Sequence, residues 1–353
     1  MIFAIKLTQV LAMLKRLASK PYALQYKYVK FLHITDDADR AIPAMESVRI
    51  SDYILKEINN MRTEELRVRD PYVVVYNGTY YMYRSDAEKH IFVHKSTDLK
   101  EWDEGTVVYT LSKDSWGIKD LWAPEVHLYK GKYYMFLSLL GKSGLRGTEI
   151  SVCDTPEGMF TPLTNKSATT EERSCIDGTL YVEDGVPYIV YSADWPFNYV
   201  KERDCYVGEI WAQRLTEDLT ERVGDAFLLF KSDEAPCSSI PNICNYEGKD
   251  VTRYGSDAPF LQKLSDGTLY LTWSPYPDKT YIVAAAISEN GSIKGKWTHL
   301  DKPLFDGHGG HAMFFNALDG KLKMCIHCPE RPPFERALFL DVCEDGKKLK
   351  ICK

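Results

Sequence analysis

No stretch of this chain approaches the roughly 18 consecutive apolar residues that a membrane-spanning helix needs, so no membrane partner is expected. Nor is there a basic stripe. The formal net charge is −6, and acids and bases are interspersed along the 353 residues, which argues against nucleic acid as a partner. The nine cysteines are odd in number and irregularly spaced, so a disulfide framework is not expected. Cys325 and Cys328 enclose His327, but no second Cys-x-x-Cys accompanies them. In a strand-like run the pair reads as buried, reduced thiols rather than a metal or redox site. The N-terminal MIFAIKLTQVLAMLKRLA is broken by Lys6, Lys15 and Arg16, and no clear small-residue cleavage site follows. It reads as a short amphipathic helix of a cytoplasmic protein rather than a secretory leader. Residues 1–62 are expected to form a partly helical extension, with Ser51-Asp52 capping a short helix through Ile58.

What the chain does have is aromatics and a repeat. The 23 tyrosines, 14 phenylalanines and 7 tryptophans suit pleated, half-buried surfaces. One phrase recurs five times: a strand, a two-residue turn ending in glycine, and a second strand rich in bulky residues. The copies are DPYVVVYNGTYYMYRS, EVHLYKGKYYMFLS, DGTLYVEDGVPYIVYS, DAPFLQKLSDGTLYLTWS and HAMFFNALDGKLKMCIH. Their turn glycines, Gly78, Gly131, Gly185, Gly267 and Gly320, are spaced by 53, 54, 82 and 53 residues. Self-similarity at that period marks a radially repeated β fold. Each hairpin is followed by a further strand pair, over 90–102, 148–160, 208–220, 281–297 and 336–351. Five sets of four strands predict an all-β, five-bladed propeller spanning residues 63–353. The long third interval holds residues 231–253, rich in Ser, Pro, Asn and Cys. That segment reads as an irregular loop on the rim of a pocket.

The first residue of each copy is ionisable: Asp70, Glu125, Asp177, Asp257 and His311. One such group at the same place in every blade would converge near the axis. Carboxylates facing one another across a channel, among aromatics, suit acid/base work on a polyhydroxylated ligand. Glycoside hydrolysis needs one carboxylic acid for the leaving oxygen and one carboxylate to activate water or attack carbon. Carboxylates on different blades leave room for a water between them, which is the inverting arrangement.

The residues around these positions resemble glycoside hydrolase family 43. They are Arg69-Asp70-Pro71, Trp122-Ala123-Pro124-Glu125-Val126, Ile176-Asp177-Gly178-Thr179, Ser256-Asp257-Ala258-Pro259-Phe260 and Gly309-Gly310-His311, with Ser96-Thr97-Asp98-Leu99 and Trp102 in the first repeat. The resemblance covers about 65–353 and implies a carbohydrate-hydrolysing five-bladed propeller. The implied reaction is inverting, on arabinofuranosyl, xylosyl or related linkages of plant-type oligo- or polysaccharides. Asp70 would be the general base and Asp177 the group that tunes and orients the acid. The family's acid is usually a glutamate in Glu-Gly-Pro, where this chain has Asp257-Ala258-Pro259. Aspartate is one methylene shorter, so the acid is left between Asp257 and Glu125. His311 matches a histidine that in many members contacts a central ion, usually calcium. Trp122 and Trp116 are candidates to stack on a sugar face. Trp195, Trp211, Trp273 and Trp297 read as structural. The rival readings are a carbohydrate-binding propeller that lost its acid at the Asp257 change, and an interaction scaffold, which has no need of ionisable lead residues. A retaining sucrose-cleaving type is disfavoured because its Asn-Asp-Pro-Asn is absent; Arg69-Asp70-Pro71-Tyr72 stands there.

Overall fold

The computed structural model of the protein describes residues 60–352. The helices expected before Asn60 lie outside them. The described chain folds into five antiparallel four-stranded sheets, each made of strands consecutive within its blade. Blade 1 runs Tyr72–Tyr76, Thr79–Ser85, His90–Ser96 and Thr106–Thr110. Blade 2 runs Gly117–Tyr129, Lys132–Gly141, Arg146–Cys153 and Thr161–Pro162. Blade 3 runs Cys175–Glu183, Val186–Ala193, Glu209–Arg214 and Phe227–Lys231. Blade 4 runs Asp257–Lys263, Leu269–Ser274, Ala284–Ser288 and Trp297–His299. Blade 5 runs Gly310–Asn316, Leu322–Cys328, Arg336–Asp345 and Lys348–Ile351. The first strands touch one another in chain order, and that of blade 5 touches that of blade 1. This closes the ring of a β-propeller.

The hairpin turns follow their chemistry. Asn77-Gly78, Lys130-Gly131 and Asp184-Gly185 have positive φ at both residues, the mirror-image turn that matches strand twist. The last two hairpins use longer turns in which glycine alone, Gly267 or Gly320, has positive φ. The fourth strands differ from expectation. In blade 1 the fourth strand is Thr106–Thr110, and Glu101–Trp102 pairs instead with Met61–Arg62. In blade 3 it lies at Phe227–Lys231, well beyond residue 220. The 231–253 segment is not irregular throughout. Its hairpin, Asn242–Tyr246 with Lys249–Tyr254, joins Tyr199–Val200 and Cys205–Val207 in a sixth four-stranded sheet. One pair in that sheet, Cys205–Val207 with Lys249–Tyr254, is parallel.

The entry of each first strand repeats one deformation. Positive φ occurs at Asp70, Ala123, Asp177, Ala258 and His311, at 50°, 47°, 53°, 51° and 59°. In blades 2 to 5 this residue and the next face a single residue of the second strand, a β-bulge. The equivalent positions are therefore Asp70, Ala123, Asp177, Ala258 and His311. Glu125 stands two places later, with Tyr72, Thr179, Phe260 and Met313. Asp257 stands one place earlier, with Arg69, Trp122, Ile176 and Gly310. The expectation of one ionisable residue at a common place fails for blades 2 and 4, because the bulge sets the register there and alanine occupies it.

Hydrogen bonds from the second strands stitch neighbouring bulges together. Ser138 of blade 2 accepts the Asp177 N–H at 2.8 Å, and Ser274 of blade 4 accepts the His311 N–H at 2.9 Å. Ser192 of blade 3 donates to the Ser256 carbonyl at 2.5 Å, and Ser85 of blade 1 donates to the Leu121 carbonyl. At the fifth seam the position is His327, which meets Asp70 and closes the ring. One local disulfide, Cys343–Cys352, links the third strand of the last blade to the residue after its fourth. The other seven cysteines are free, with Cys325 buried and Cys328 half-buried.

Gly310 has no room for a side chain, since a Cβ there would lie 2.6 Å from the Tyr281 ring and 2.8 Å from Ser274 Oγ. Gly310→Ala is predicted to destabilise the fold by about 1–3 kcal/mol. A urea unfolding midpoint equal to wild type would show that the blade 4–blade 5 seam yields without cost.

Candidate active site

The bulges bring Asp70, Asp177, Asp257 and His311 to one cavity of about 530 Å³. Trp122, Asp194, Trp195, Tyr276 and Arg253 share its wall. Asp70 is the most heavily paired group. Its Oδ1 lies 3.0 Å from His311 Nδ1 and 3.0 Å from His327 Nδ1, and its Oδ2 lies 3.6 Å from Arg69 Nε. Burial alone would favour the neutral acid, but the His311 and Arg69 cations outweigh it and hold the carboxyl well below the usual range. Asp70 is therefore an anion. Arg69 is anchored in turn by Glu330, 2.9 Å from its Nη1. His327 sits between Asp70 and Glu330, which raise its pKa against burial. Its Nδ1 also lies 3.3 Å from the Asp70 amide. The Asp70 N–H donates to that nitrogen.

His311 carries the complementary shift. Burial lowers its pKa, but Asp70 and then Asp177 raise it further, to about 10. The opposite happens on blade 4. Burial first, then the neighbouring Asp177, pushes the Asp257 carboxyl up to about 8. Burial also raises Asp177. Two adjacent buried carboxyls do not both ionise cheaply, and they titrate as a pair. The hydrogen bonds decide between them. Asp177 Oδ2 accepts the Ala258 N–H at 3.0 Å, whereas Asp257 Oδ2 accepts a longer bond from the Tyr281 hydroxyl at 3.4 Å, so the anion is better held at Asp177. Asp177 takes the charge and Asp257 keeps the proton. Because Ala258 directly follows Asp257, Asp177 also fixes the peptide that carries it. One cavity thus holds an ionised carboxylate and a protonated one at neutral pH, the pair of states that acid/base catalysis requires.

Of the residues expected at the site, Asp70, Asp177, Asp257, His311 and Trp122 meet here. Glu125 does not line the cavity. Past the bulge it is buried, with Oε2 3.1 Å from His127 Nε2, and His127 is held by the Tyr72 hydroxyl at 3.2 Å. Trp116 lines a separate cleft with Gly141, Lys142 and Asn165. One face of Trp122 is covered by the Arg146 guanidinium, 3.7 Å from the ring centre. Trp273 and Trp297 are buried as expected, but Trp195, read as structural, stands on the cavity wall. Asp194, Arg253 and Tyr276 are further wall residues that sequence reasoning missed. Calcium takes about 6–8 oxygen ligands. Among the described residues no three His, Cys, Asp or Glu side chains gather into a metal-binding group, and His311 is a cation committed to Asp70. No step is derived through such an ion.

The two upward shifts have one consequence for stability. The charged form of His311 is favoured by the fold, so its contribution is full below an unfolded pKa of about 6.5 and is lost as pH rises through about 10. For Asp257 the neutral form is favoured, so its contribution fades as pH rises from the unfolded value toward about 8. Both slopes have the same sign. The thermal unfolding midpoint is predicted to fall between pH 6.5 and 10, with a shallower decline in His311→Gln. A midpoint constant across that range would contradict the assignment of charge.

Known proteins resemble this chain over most of the described residues. The profile of Glycosyl hydrolases family 43 matches residues 64–345. An endo-arabinase from Bacteroides thetaiotaomicron VPI-5482 superposes with a TM-score of 0.73 at 38% identity, covering 82% of this chain and 99% of that one. Xylosidase/arabinosidase 43A of Humicola insolens is 30% identical over 145 residues, covering 36% of this chain and 43% of that protein. Extracellular endo-alpha-(1->5)-L-arabinanase 2 of Bacillus subtilis is 33% identical over 141 residues, covering 35% of this chain and 28% of that protein. The chain thus spans less than half the length of these two curated relatives. With the family profile covering most of its length over a ring of five blades, the chain belongs to glycosyl hydrolase family 43.

Proposed function

We propose that this protein is a glycosidase that cleaves α-L-arabinofuranosyl or related xylosyl linkages of plant-type saccharides with inversion, using Asp70 as base, Asp257 as acid and Asp177 as the group that holds the acid. The observation that carries the reading is the meeting of Asp70, Asp177 and Asp257 in one cavity, with the Asp70 carboxylate facing His311, His327 and Arg69 and Asp257 buried beside Asp177. The sugar class is supported by the names of the Bacteroides and Bacillus relatives, an endo-arabinase and an endo-arabinanase. Asp257 is preferred to Glu125 as acid because it lines the cavity and holds a proton at neutral pH, whereas Glu125 is engaged with His127.

In the reaction, a water on the Asp70 side attacks the anomeric carbon while the bond to the leaving oxygen breaks. Asp257 gives its proton to that oxygen, and the water gives one to Asp70. The new bond forms on the face opposite the old one, so configuration inverts. The cations around Asp70 make it a weak base. Its part is therefore to orient the water and to stabilise the oxocarbenium-like centre, with proton transfer late. Asp177 stays ionised beside Asp257 and disfavours a second anion, which keeps the acid loaded.

On oligosaccharides kcat/KM is predicted to fall above about pH 8 as Asp257 loses its proton. With a dinitrophenyl glycoside, whose leaving group needs no proton, that limb should vanish. Asp257→Asn should lower oligosaccharide turnover by about 10²–10⁴-fold while sparing the activated substrate, and Asp70→Asn should cripple both. Proton NMR of the first-formed product should show the inverted anomer; net retention would exclude the scheme. A wild type inactive on every glycoside that still binds saccharide would establish the binding-only propeller instead.

A further inference from the structure

Four arginines line the cavity, and three are committed. Arg67 pairs with Glu335 at 3.2 Å, Arg69 with Glu330 at 2.9 Å, and Arg146 with Asp120 at 2.9 Å. Arg253 is different. It has no carboxylate within ion-pair distance among the described residues, and its Nε is buried with no hydrogen-bond partner. Its guanidinium lies 4.7 Å from the Trp195 ring centre and 5.1 Å from that of Tyr276. A buried donor without an acceptor costs about 1–3 kcal/mol. The aromatic faces hold the fork in place without consuming its N–H groups.

The holder is the sixth sheet. Arg253 is on its Lys249–Tyr254 strand, and Trp195 packs at 5.7 Å and 5.2 Å against Tyr206 and Tyr246 of the same sheet. Two segments on either side of the outer strands of blade 3 thus come together to present one arginine and one tryptophan to the cavity. Arg253 lies four residues before Asp257 in the chain, and its charge acts on both Asp257 and Asp194. Asp194 is a carboxyl of the same wall that burial pushes up to about 6.

We propose that Arg253, Trp195 and Asp194 form the binding site for the sugar on the leaving-group side, and that this sugar is neutral. The inference rests on the role of Asp257 as acid, because that role makes the Arg253 wall the leaving-group wall. Arg253 donates to the hydroxyls of this sugar, Asp194 accepts from them, and the Trp195 ring covers an apolar face. An acidic sugar is disfavoured by the surroundings: its carboxylate would face Asp194 and the Asp177–Asp257 pair, and one guanidinium does not offset them.

The test compares a neutral arabino- or xylo-oligosaccharide with the 4-nitrophenyl glycoside of the same sugar, whose phenol has no hydroxyls for Arg253 to hold. Charge-assisted hydrogen bonds lost on Arg253→Ala should lower kcat/KM on the oligosaccharide about 10- to 100-fold more than on the nitrophenyl glycoside, chiefly through KM. Arg253→Lys should recover part of the difference. Equal losses on both substrates would overturn the proposal, and so would a loss confined to kcat with KM unchanged, which is what an effect through the charge state of Asp257 alone would give. So would an unchanged ratio, or a wild-type preference for a uronic-acid-bearing oligosaccharide. Calorimetric titration with the neutral oligosaccharide separates this inference from the proposed reaction. If wild type binds but cleaves neither substrate, the reaction scheme fails. Loss of that binding in Arg253→Ala would still support the subsite, and equal binding by both proteins would sink it.

Discussion

Each first strand of the ring enters through a left-handed residue followed by an unpaired one, and the chemistry of the site hangs on that bulge. A non-glycine residue in this region costs about 1–3 kcal/mol, and here it recurs five times, at Asp70, Ala123, Asp177, Ala258 and His311. The cost is balanced by what the seams provide. Ser138 and Ser274 accept the amides of Asp177 and His311, and His327 meets Asp70 where the ring closes. Deformation and hydrogen bond together fix where three of the ionisable side chains begin. The alanines of blades 2 and 4 are as informative. By filling the same place with a methyl group they let Asp257 approach from the preceding position, with Tyr281 rather than a histidine beside it.

Electrostatics follow from this arrangement. The cavity gathers more acids than free cations, so burial would neutralise them all unless partners intervene. Blade 5 contributes His311 and His327, and blade 1 contributes Arg69, all directed at Asp70. Blade 4 offers Asp257 none of these. The asymmetry between two aspartates on opposite parts of the ring arises from which blade carries the histidines. The shortened acid side chain does not remove this asymmetry, since the raised pKa of Asp257 comes from burial and from Asp177.

Much of this was legible in the chain. The hairpins announced themselves because Asn77-Gly78, Lys130-Gly131 and Asp184-Gly185 can adopt the required turn and little else can. The lead carboxylates were found by the same alignment. Their register was misjudged because ionisable residues happen to stand near every strand start. Aligning Asp70-Pro71, Ala123-Pro124 and Ala258-Pro259 on proline gives the observed equivalence. Fourth strands such as Phe227–Lys231 are separated from their neighbours by loops of no fixed length, so periodicity did not find them. The sixth sheet left no local signal, because its halves are far apart in sequence and join through a parallel pair. Arg253 and Trp195 went unnoticed for that reason.

The central claim is a division of protons: Asp257 protonated, Asp70 and Asp177 bare, His311 doubly protonated. Neutron diffraction from a deuterium-exchanged crystal near neutral pH reads it directly. The account predicts a deuteron on the Asp257 carboxyl, none on Asp70 or Asp177, and one on each nitrogen of His311. A deuteron on Asp177 with Asp257 bare would contradict it.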